Sequence, residues 1–367
     1  MAHELIRPEI EALSPYQPGR PIEEVQRELG LERVVKLASN EGPFPPFPAA
    51  LAAMDVVEPG LNRYPDGGTY RLHEALAARH RVGFEEVCAG SGADGCIDML
   101  SQAILGPGDE VVCGWPSFPS YVIYAAKQGA TVTRVPLHEL RYDLVALAAA
   151  VGPRTKIVYV CHPNNPTGTM NTRAELDDFF DRLPDGVLTV VDQAYFEYID
   201  HDGYPDAVAE YFLDGRRVVV LRTFSKIYGL AGARVGYAVG PQDVCAAMAK
   251  VRRPFDLTTT AQAAALASVD DVGEIARRRD LNSRGLIDLR AILVRHGLKP
   301  AAGAVGNFLY VDLGEDAAPL FERLLLQGVI VRPLAGFGEP NAIRVSVGAR
   351  DEHEFLDAAL GRAVGPP

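Results

Sequence analysis

Between residues 110 and 239 the sequence keeps returning to one pattern: a short unbroken apolar run, a polar residue or two, then an amphipathic stretch long enough for a helix. The runs are 110–113, 156–161, 187–191, 218–221 and 235–239. They lack the alternation of a strand with one wet face, so they read as strands buried on both faces, with the amphipathic stretches as crossover helices. A chain built this way has few options: it is α/β, with a mostly parallel sheet, helices on both sides, and ligands gathered at the strands' carboxyl ends. The chain has 367 residues, more than one core usually supports, and the pattern changes near residue 271. A long charged helix over 271–296 leads into a strand-like 307–313, a helix near 320–327 and strand-like runs at 329–332 and 342–347. The expected division is a large ligand-binding domain over 46–270 and a smaller α+β domain over 271–367. An N-terminal arm over 1–45, with one helical stretch around 22–29, joins the smaller domain.

Three of the runs end in groups that suit one cofactor: His162-Pro-Asn-Asn-Pro-Thr-Gly168, Asp192-Gln-Ala-Tyr195 and Arg222-Thr-Phe-Ser-Lys226. A lysine that closely follows a buried strand is badly placed for solvation. Desolvation and nearby cations favour its neutral amine, which condenses with an aldehyde, so Lys226 reads as the imine-forming residue of a pyridoxal-5′-phosphate (PLP) enzyme. Taken alone, Asp192 would be a helix cap; beside PLP, a carboxylate keeps the pyridine nitrogen protonated. Asn165 and Tyr195 can hydrogen-bond the ring's phenolate oxygen. Gly90-Ser-Gly-Ala-Asp-Gly95 has the GxGxxG form. A dinucleotide fingerprint, however, needs a clear preceding strand and an acid at the end of the next one, which this segment lacks. As a glycine-rich helix start it suits PLP's phosphate, with Ala93 and Asp94 in that turn and Thr223 or Ser225 and Arg234 as further ligands.

The net charge of −12 without a Lys/Arg run argues against a nucleic-acid or anionic-membrane partner. No apolar stretch approaches the roughly 18 residues of a membrane span, and MAHELIRPEI lacks a signal peptide's apolar core, so a cytoplasmic protein is expected. The five cysteines form no CxxC pair and the eight histidines are scattered, which reads as small buried hydrophobes and no metal site. An NAD-dependent dehydrogenase would leave Lys226, Asp192 and Asn165 without a task. A PLP-binding regulator would need a DNA-binding module.

The motifs Ser14-Pro-Tyr-Gln-Pro-Gly, Val35-Lys-Leu-Ala-Ser-Asn-Glu41, Arg63-Tyr-Pro-Asp-Gly67, Pro116-Ser-Phe, Pro163-Asn-Asn-Pro-Thr-Gly168, Thr223-Phe-Ser-Lys226, Arg234-Val-Gly-Tyr and Arg344-Val-Ser-Val-Gly348 cover nearly the whole length. With them the chain resembles the histidinol-phosphate aminotransferase family, within the fold type I PLP aminotransferases. The resemblance implies a homodimer with shared active sites, Tyr64 reaching the PLP phosphate of the other subunit, and Phe118 stacking on the PLP ring. It also implies a substrate site of Tyr16, Asn40, Arg332 and Arg344. The implied reaction converts histidinol phosphate and 2-oxoglutarate to imidazole acetol phosphate and glutamate. Transamination of phenylalanine or tyrosine stays open beside it, and decarboxylation of a phosphorylated amino acid is the rival outside transamination. Gly42, Gln193 and Phe118 depart from the family's usual Asn, Glu and Tyr, which bears on the substrate pocket.

Overall fold

The structure, a computed structural model, describes residues 5–13 and 19–364. After a short helix, Pro8–Glu11, comes the amphipathic helix Ile22–Leu29, stopped by Gly30 at φ 64°, a left-handed conformation that glycine adopts without strain. Strand β1 (Val35–Lys36) closes the arm. The large sheet then takes β2 (Val87–Gly90), β3 (Glu110–Trp115), β4 (Thr131–Pro136), β5 (Thr155–Cys161), β6 (Leu188–Asp192), β7 (Val218–Thr223) and β8 (Gly236–Val239). The last segment supplies β9 (Lys299–Pro300), β10 (Phe308–Asp312), β11 (Val329–Ile330), β12 (Arg332–Leu334) and β13 (Glu339–Ser346).

Among the described residues the strands form three sheets, ordered β2-β8-β7-β6-β5-β3-β4, β12-β13-β10-β9 and β1-β11. In the first, β4, β3, β5, β6 and β7 run parallel, as expected of buried apolar runs joined by helices. The run at 235–239, grouped with them by sequence, instead lies antiparallel to both β7 and β2. The reason is the short link from Thr223 to Gly236, closed by Phe224 N–H donating to the Val235 carbonyl at 3.0 Å; it carries no α-helix that could return the strand in parallel. Strand β2 is an edge strand paired antiparallel, so the GxGxxG that follows it does not sit in a parallel βαβ unit. Strand β4 gave no apolar run because it forms the other edge and is largely solvated.

One core lies around the large sheet, built on residues such as Val112, Val158, Val191 and Val220 and reaching Ile275 and Phe308. A second joins Leu289, Leu309, Ile343, Val345 and Leu356 to Val35 and Leu37 of the arm. The helix Val272–Arg295, capped by Asp271, spans both, with Ile275 in the first core and Leu289 in the second. The pairing of β1 with β11 and the seating of Val35 and Leu37 tie the arm to the segment after 271. The expected strand 329–332 is divided: 329–330 pairs with β1, whereas Arg332 turns to β13. No helix among the described residues is long and apolar enough to cross a membrane.

Candidate active site

The parallel register sets Cys161 beside Asp192 and Asp192 beside Leu221, so β5, β6 and β7 end nearly level. Chemistry-bearing side chains therefore leave one edge of the sheet together. A cavity of about 190 Å³ opens there. From the sheet side it is lined by Asn165, Asp192, Tyr195, Thr223, Ser225 and Lys226. Helix-start segments add Ala93, Asp94 and Phe118, the β7–β8 link adds Arg234, and Asn40, Arg332 and Arg344 close it from the arm and the smaller sheet.

Lys226 lies two residues past Phe224 in a turn held by Gly229 N–H donating to its own carbonyl at 3.0 Å. Arg278, buried on the long helix, pins that turn by donating to the Ile227 carbonyl at 3.1 Å and to the Pro45 carbonyl at 2.7 Å. The lysine's Nζ meets the carbonyls of Asn40 and Ser39 at 3.3 and 3.5 Å, long contacts that leave it available for chemistry. Burial, with Arg344 and Arg234 nearby, pushes its amine down to about 8, although Glu41 and Asp192 oppose. Asp192 is buried; its oxygens accept from the Tyr121 hydroxyl at 2.7 Å and the Ala194 N–H at 3.0 Å. Burial pushes this carboxyl up, while Tyr121, Ala194 and Lys226 hold it down.

The helix Gly92–Ile104 begins at the cavity, with Gly92 at φ 77°. A Cβ on Gly92 would lie 2.7 Å from the Arg234 guanidinium, and one on Gly236 would lie 2.4 Å from the Ala93 nitrogen. The two glycines thus bring helix-start backbone N–H groups and a guanidinium together, the donor set of a phosphate cradle. The Asp94 carboxylate is engaged by Ser120 and by the Tyr124 hydroxyl at 2.6 Å, so the donors this turn can offer an anion are its backbone N–H groups. Tyr195 accepts a hydrogen bond from Asn40 Nδ2 at 2.9 Å, and Asn165 Oδ1 accepts one from Arg344. Arg344 also donates to the Ala38 carbonyl at 2.7 Å and lies directly opposite Arg332 across β12 and β13.

Two predicted residues are not gathered here. Tyr16 lies outside the described residues. Tyr64 is 80% exposed and stacked on Phe255, ring centroids 4.4 Å apart, away from the cavity. Conversely, Ala38, Ser39, Cys161, Ala194 and Phe337 line it without having been singled out, and Tyr121 supports it from behind. Phe337 sits in Leu-Ala-Gly-Phe-Gly, which has no motif character; Tyr121 follows Phe118 by three residues, a spacing that could have flagged it. Of the three departures, Gln193 faces away from the cavity. Its amide donates to the Pro205 carbonyl at 2.8 Å and accepts from buried Arg222 at 2.8 Å. Gly42 abuts the Lys226 backbone, and a Cβ there would lie 3.6 Å from that residue's carbonyl. Only Phe118 lines the cavity itself.

The residues present fit PLP: a buried carboxylate held by neutral hydrogen-bond donors suits a cationic ring nitrogen, the glycine cradle suits a phosphate, and a lysine of lowered basicity suits an aldehyde. The chain matches the model of the family described as aminotransferase class I and II over residues 32–362. Fold and site together define a fold type I, PLP-dependent aminotransferase. Among curated relatives, the histidinol-phosphate aminotransferase of Moorella thermoacetica is 43% identical, covering 96% of this chain and 92% of its own length. That of Anaeromyxobacter sp. is also 43% identical, covering 98% and 99%. A crystal structure of histidinol-phosphate aminotransferase from Sinorhizobium meliloti in complex with PLP superposes with a TM-score of 0.89 at 29% identity, covering 99% of this chain and 98% of that one. Aspartate aminotransferase from Thermus thermophilus with maleate gives 0.83 at 26% identity, covering 97% and 98%. The chain belongs to the histidinol-phosphate aminotransferase family.

Proposed function

We propose that this chain transfers the amino group of histidinol phosphate to 2-oxoglutarate, yielding imidazole acetol phosphate and glutamate, and works as a cytoplasmic homodimer. The observation that carries the substrate reading is the Arg332–Arg344 pair at the cavity. Both guanidiniums line the same cavity from adjacent strands, so two planar donor forks are presented to one anion there. The Phe337 ring lies 5.8 Å from one guanidinium and 5.7 Å from the other, a wall between apolar and anionic ends. A phosphate ester and a dicarboxylate both suit such a fork. In this reading residues 46–270 form the cofactor-bearing domain, and 271–367 with the arm 1–45 bring the clamp to it.

Bound PLP supplies an electron-withdrawing ring that stabilises negative charge at the substrate carbon. Asp192 would keep the proton on the ring nitrogen, Asn165 and Tyr195 would hydrogen-bond the phenolate oxygen, and Phe118 would pack against the ring. Ala93, Asp94, Thr223, Ser225 and Arg234 would hold the phosphate. Lys226 would anchor the cofactor, and its amine, of lowered basicity, would take the proton from the substrate carbon and return it. Asn40, Arg332 and Arg344 orient the substrate, with Tyr16 as the arm's contribution. The two half-reactions share one anion clamp, so kinetics should be ping-pong. The dimer is supported by the exposed Tyr64–Phe255 stack and by Leu61 and Tyr70 exposed nearby; Tyr64 of the partner subunit would complete each phosphate site.

The aromatic-donor reading retains one support, since Phe118 and Phe337 would also accept a phenyl ring. Comparing histidinol phosphate, phenylalanine, tyrosine and aspartate as donors to 2-oxoglutarate separates the two. Arg332→Ala should lower kcat/KM for histidinol phosphate about ten- to hundredfold, the loss of a charged hydrogen bond, and spare phenylalanine by comparison. Equal losses on both donors, or a wild-type preference for phenylalanine, would transfer the enzyme to the aromatic class.

A further inference from the structure

Tyr121, on the helix Ser120–Lys127, is completely buried and does not line the cavity, yet it touches two side chains that do. Its hydroxyl donates to Asp192 Oδ2 at 2.7 Å. Its ring meets the Phe118 ring edge-on, centroids 5.7 Å apart and planes at 80°. On another side it stacks on Tyr159 of β5 at 4.3 Å and 11°. Offset stacking and edge contact fix the ring in position and tilt, so the hydroxyl has little freedom to leave the carboxylate.

We propose that Tyr121 is a positioning residue for the cofactor, holding the Asp192 carboxylate on the ring nitrogen through its hydroxyl and the Phe118 ring on the cofactor face through its edge. The proposal rests on the reading that Asp192 meets that nitrogen. The groups around Asp192 come from every neighbouring element: Cys161 and Tyr159 on β5, Tyr195 after β6, Asp94 on the helix Gly92–Ile104, and Lys226 after β7. Burial and Asp94 disfavour the carboxylate, and Tyr121 is the foremost group opposing them, ahead of Ala194 and Lys226. Burial also keeps the Tyr121 hydroxyl protonated, so it donates across the working pH range. Tyr159 provides an internal control. Its ring is equally buried in the same stack, but its hydroxyl gives no hydrogen bond to Asp192 and faces Ser101 instead.

The test compares Tyr121→Phe, Tyr159→Phe and Asp192→Asn in the full-length enzyme. PLP dissociation constant, the pH midpoint of the PLP-loaded enzyme's visible absorbance, and the Asp192 carboxyl titration by 13C NMR are measured for the variants that retain each group. Tyr121→Phe should raise the carboxyl midpoint by about one pH unit, weaken PLP about tenfold and move the absorbance midpoint, because a charge-assisted donor is lost. Tyr159→Phe should match wild type in all three. If Tyr121→Phe behaves like Tyr159→Phe while Asp192→Asn still damages PLP binding and absorbance, the Tyr121 proposal is overturned and the Asp192 reading stands. Wild-type PLP affinity and absorbance in Asp192→Asn would instead overturn the Asp192 reading, and the Tyr121 proposal with it.

Discussion

Lys226 combines two requirements that oppose each other in most lysines: it must be reachable, and it must be neutral near physiological pH. Its amine is held near the carbonyls of Ser39 and Asn40, while burial and the guanidiniums of Arg344 and Arg234 push it down to about 8. The lowered value means the amine loses its proton as pH rises through about 8, where an ordinary lysine would stay charged. Capture of PLP by the cofactor-free enzyme should therefore quicken as pH is raised from 7 to 9 and then level off. Arg344→Gln, removing a cation, should move that midpoint upward. Lys226→Ala should abolish both the visible absorbance of bound PLP and transamination, and Lys226→Arg should restore neither, since a guanidinium gives no neutral nucleophile in this range. Stopped-flow PLP uptake and an amino-acceptor assay check these outcomes; a Lys226→Ala enzyme retaining absorbance and turnover would refute the assignment.

At the scale of elements, strand ends and the turns after them do the positioning, and this was the part most legible in the sequence. Apolar runs ending in Asn165, Asp192 and Lys226 motifs announced both the parallel strands and where their carboxyl ends meet. The antiparallel β8 was not legible, because a residue pattern for a strand buried on both faces carries no direction; the direction came from the tight Phe224–Val235 closure. Phe337 was illegible for another reason: it reaches the site through tertiary packing from a segment whose local pattern is that of ordinary core, whereas Tyr121 had its three-residue spacing from Phe118 to mark it. The β8–helix contact is open to test. At Gly236 an added Cβ would lie 2.4 Å from the Ala93 nitrogen and 2.5 Å from the Gly92 carbonyl carbon, backbone atoms that cannot rotate aside. Gly236→Ala should therefore push the helix start from β8, costing about 1–3 kcal/mol of stability as overpacking does. It should weaken PLP binding more than Gly232→Ala, where nothing lies within 4 Å of the added Cβ. Thermal unfolding with and without PLP, together with PLP titration, reads both effects; equal PLP affinity in the two variants would detach the cradle from this contact.

For the whole molecule, acid stability should be governed by histidines buried around the large sheet, separate from the chemistry. His73 and His80 lie on the helix Tyr70–His80 packed against β2 and β8, and His162 follows β5. His73 Nε2 accepts the Ala89 N–H at 3.1 Å, a bond that requires an unprotonated nitrogen, whereas His162 Nε2 lies 2.8 Å from the Asn171 carbonyl, a contact that favours the protonated ring and is outweighed by burial. Burial pushes His73 and His162 down to about 4 and His80 to about 3, from an ordinary 6.5. Between those values the unfolded chain binds protons that the folded chain refuses, so stability falls as pH drops from about 6.5 toward 4 and is regained above 6.5. An imidazole that the fold keeps neutral contributes a slope of up to about 1.4 kcal/mol per pH unit across its window, and half-buried His80 less than buried His73 and His162. His73→Gln keeps an acceptor for the Ala89 N–H but does not titrate. The variant should therefore be less sensitive to acid than wild type, its slope shallower by about one proton between pH 4.5 and 6, whatever its absolute stability at pH 7. Measured at saturating PLP and fixed protein concentration, to hold ligand and assembly contributions constant, denaturation midpoints across that range decide the matter. Parallel pH profiles for variant and wild type would show that His73 is protonated without cost and that the acid sensitivity originates elsewhere.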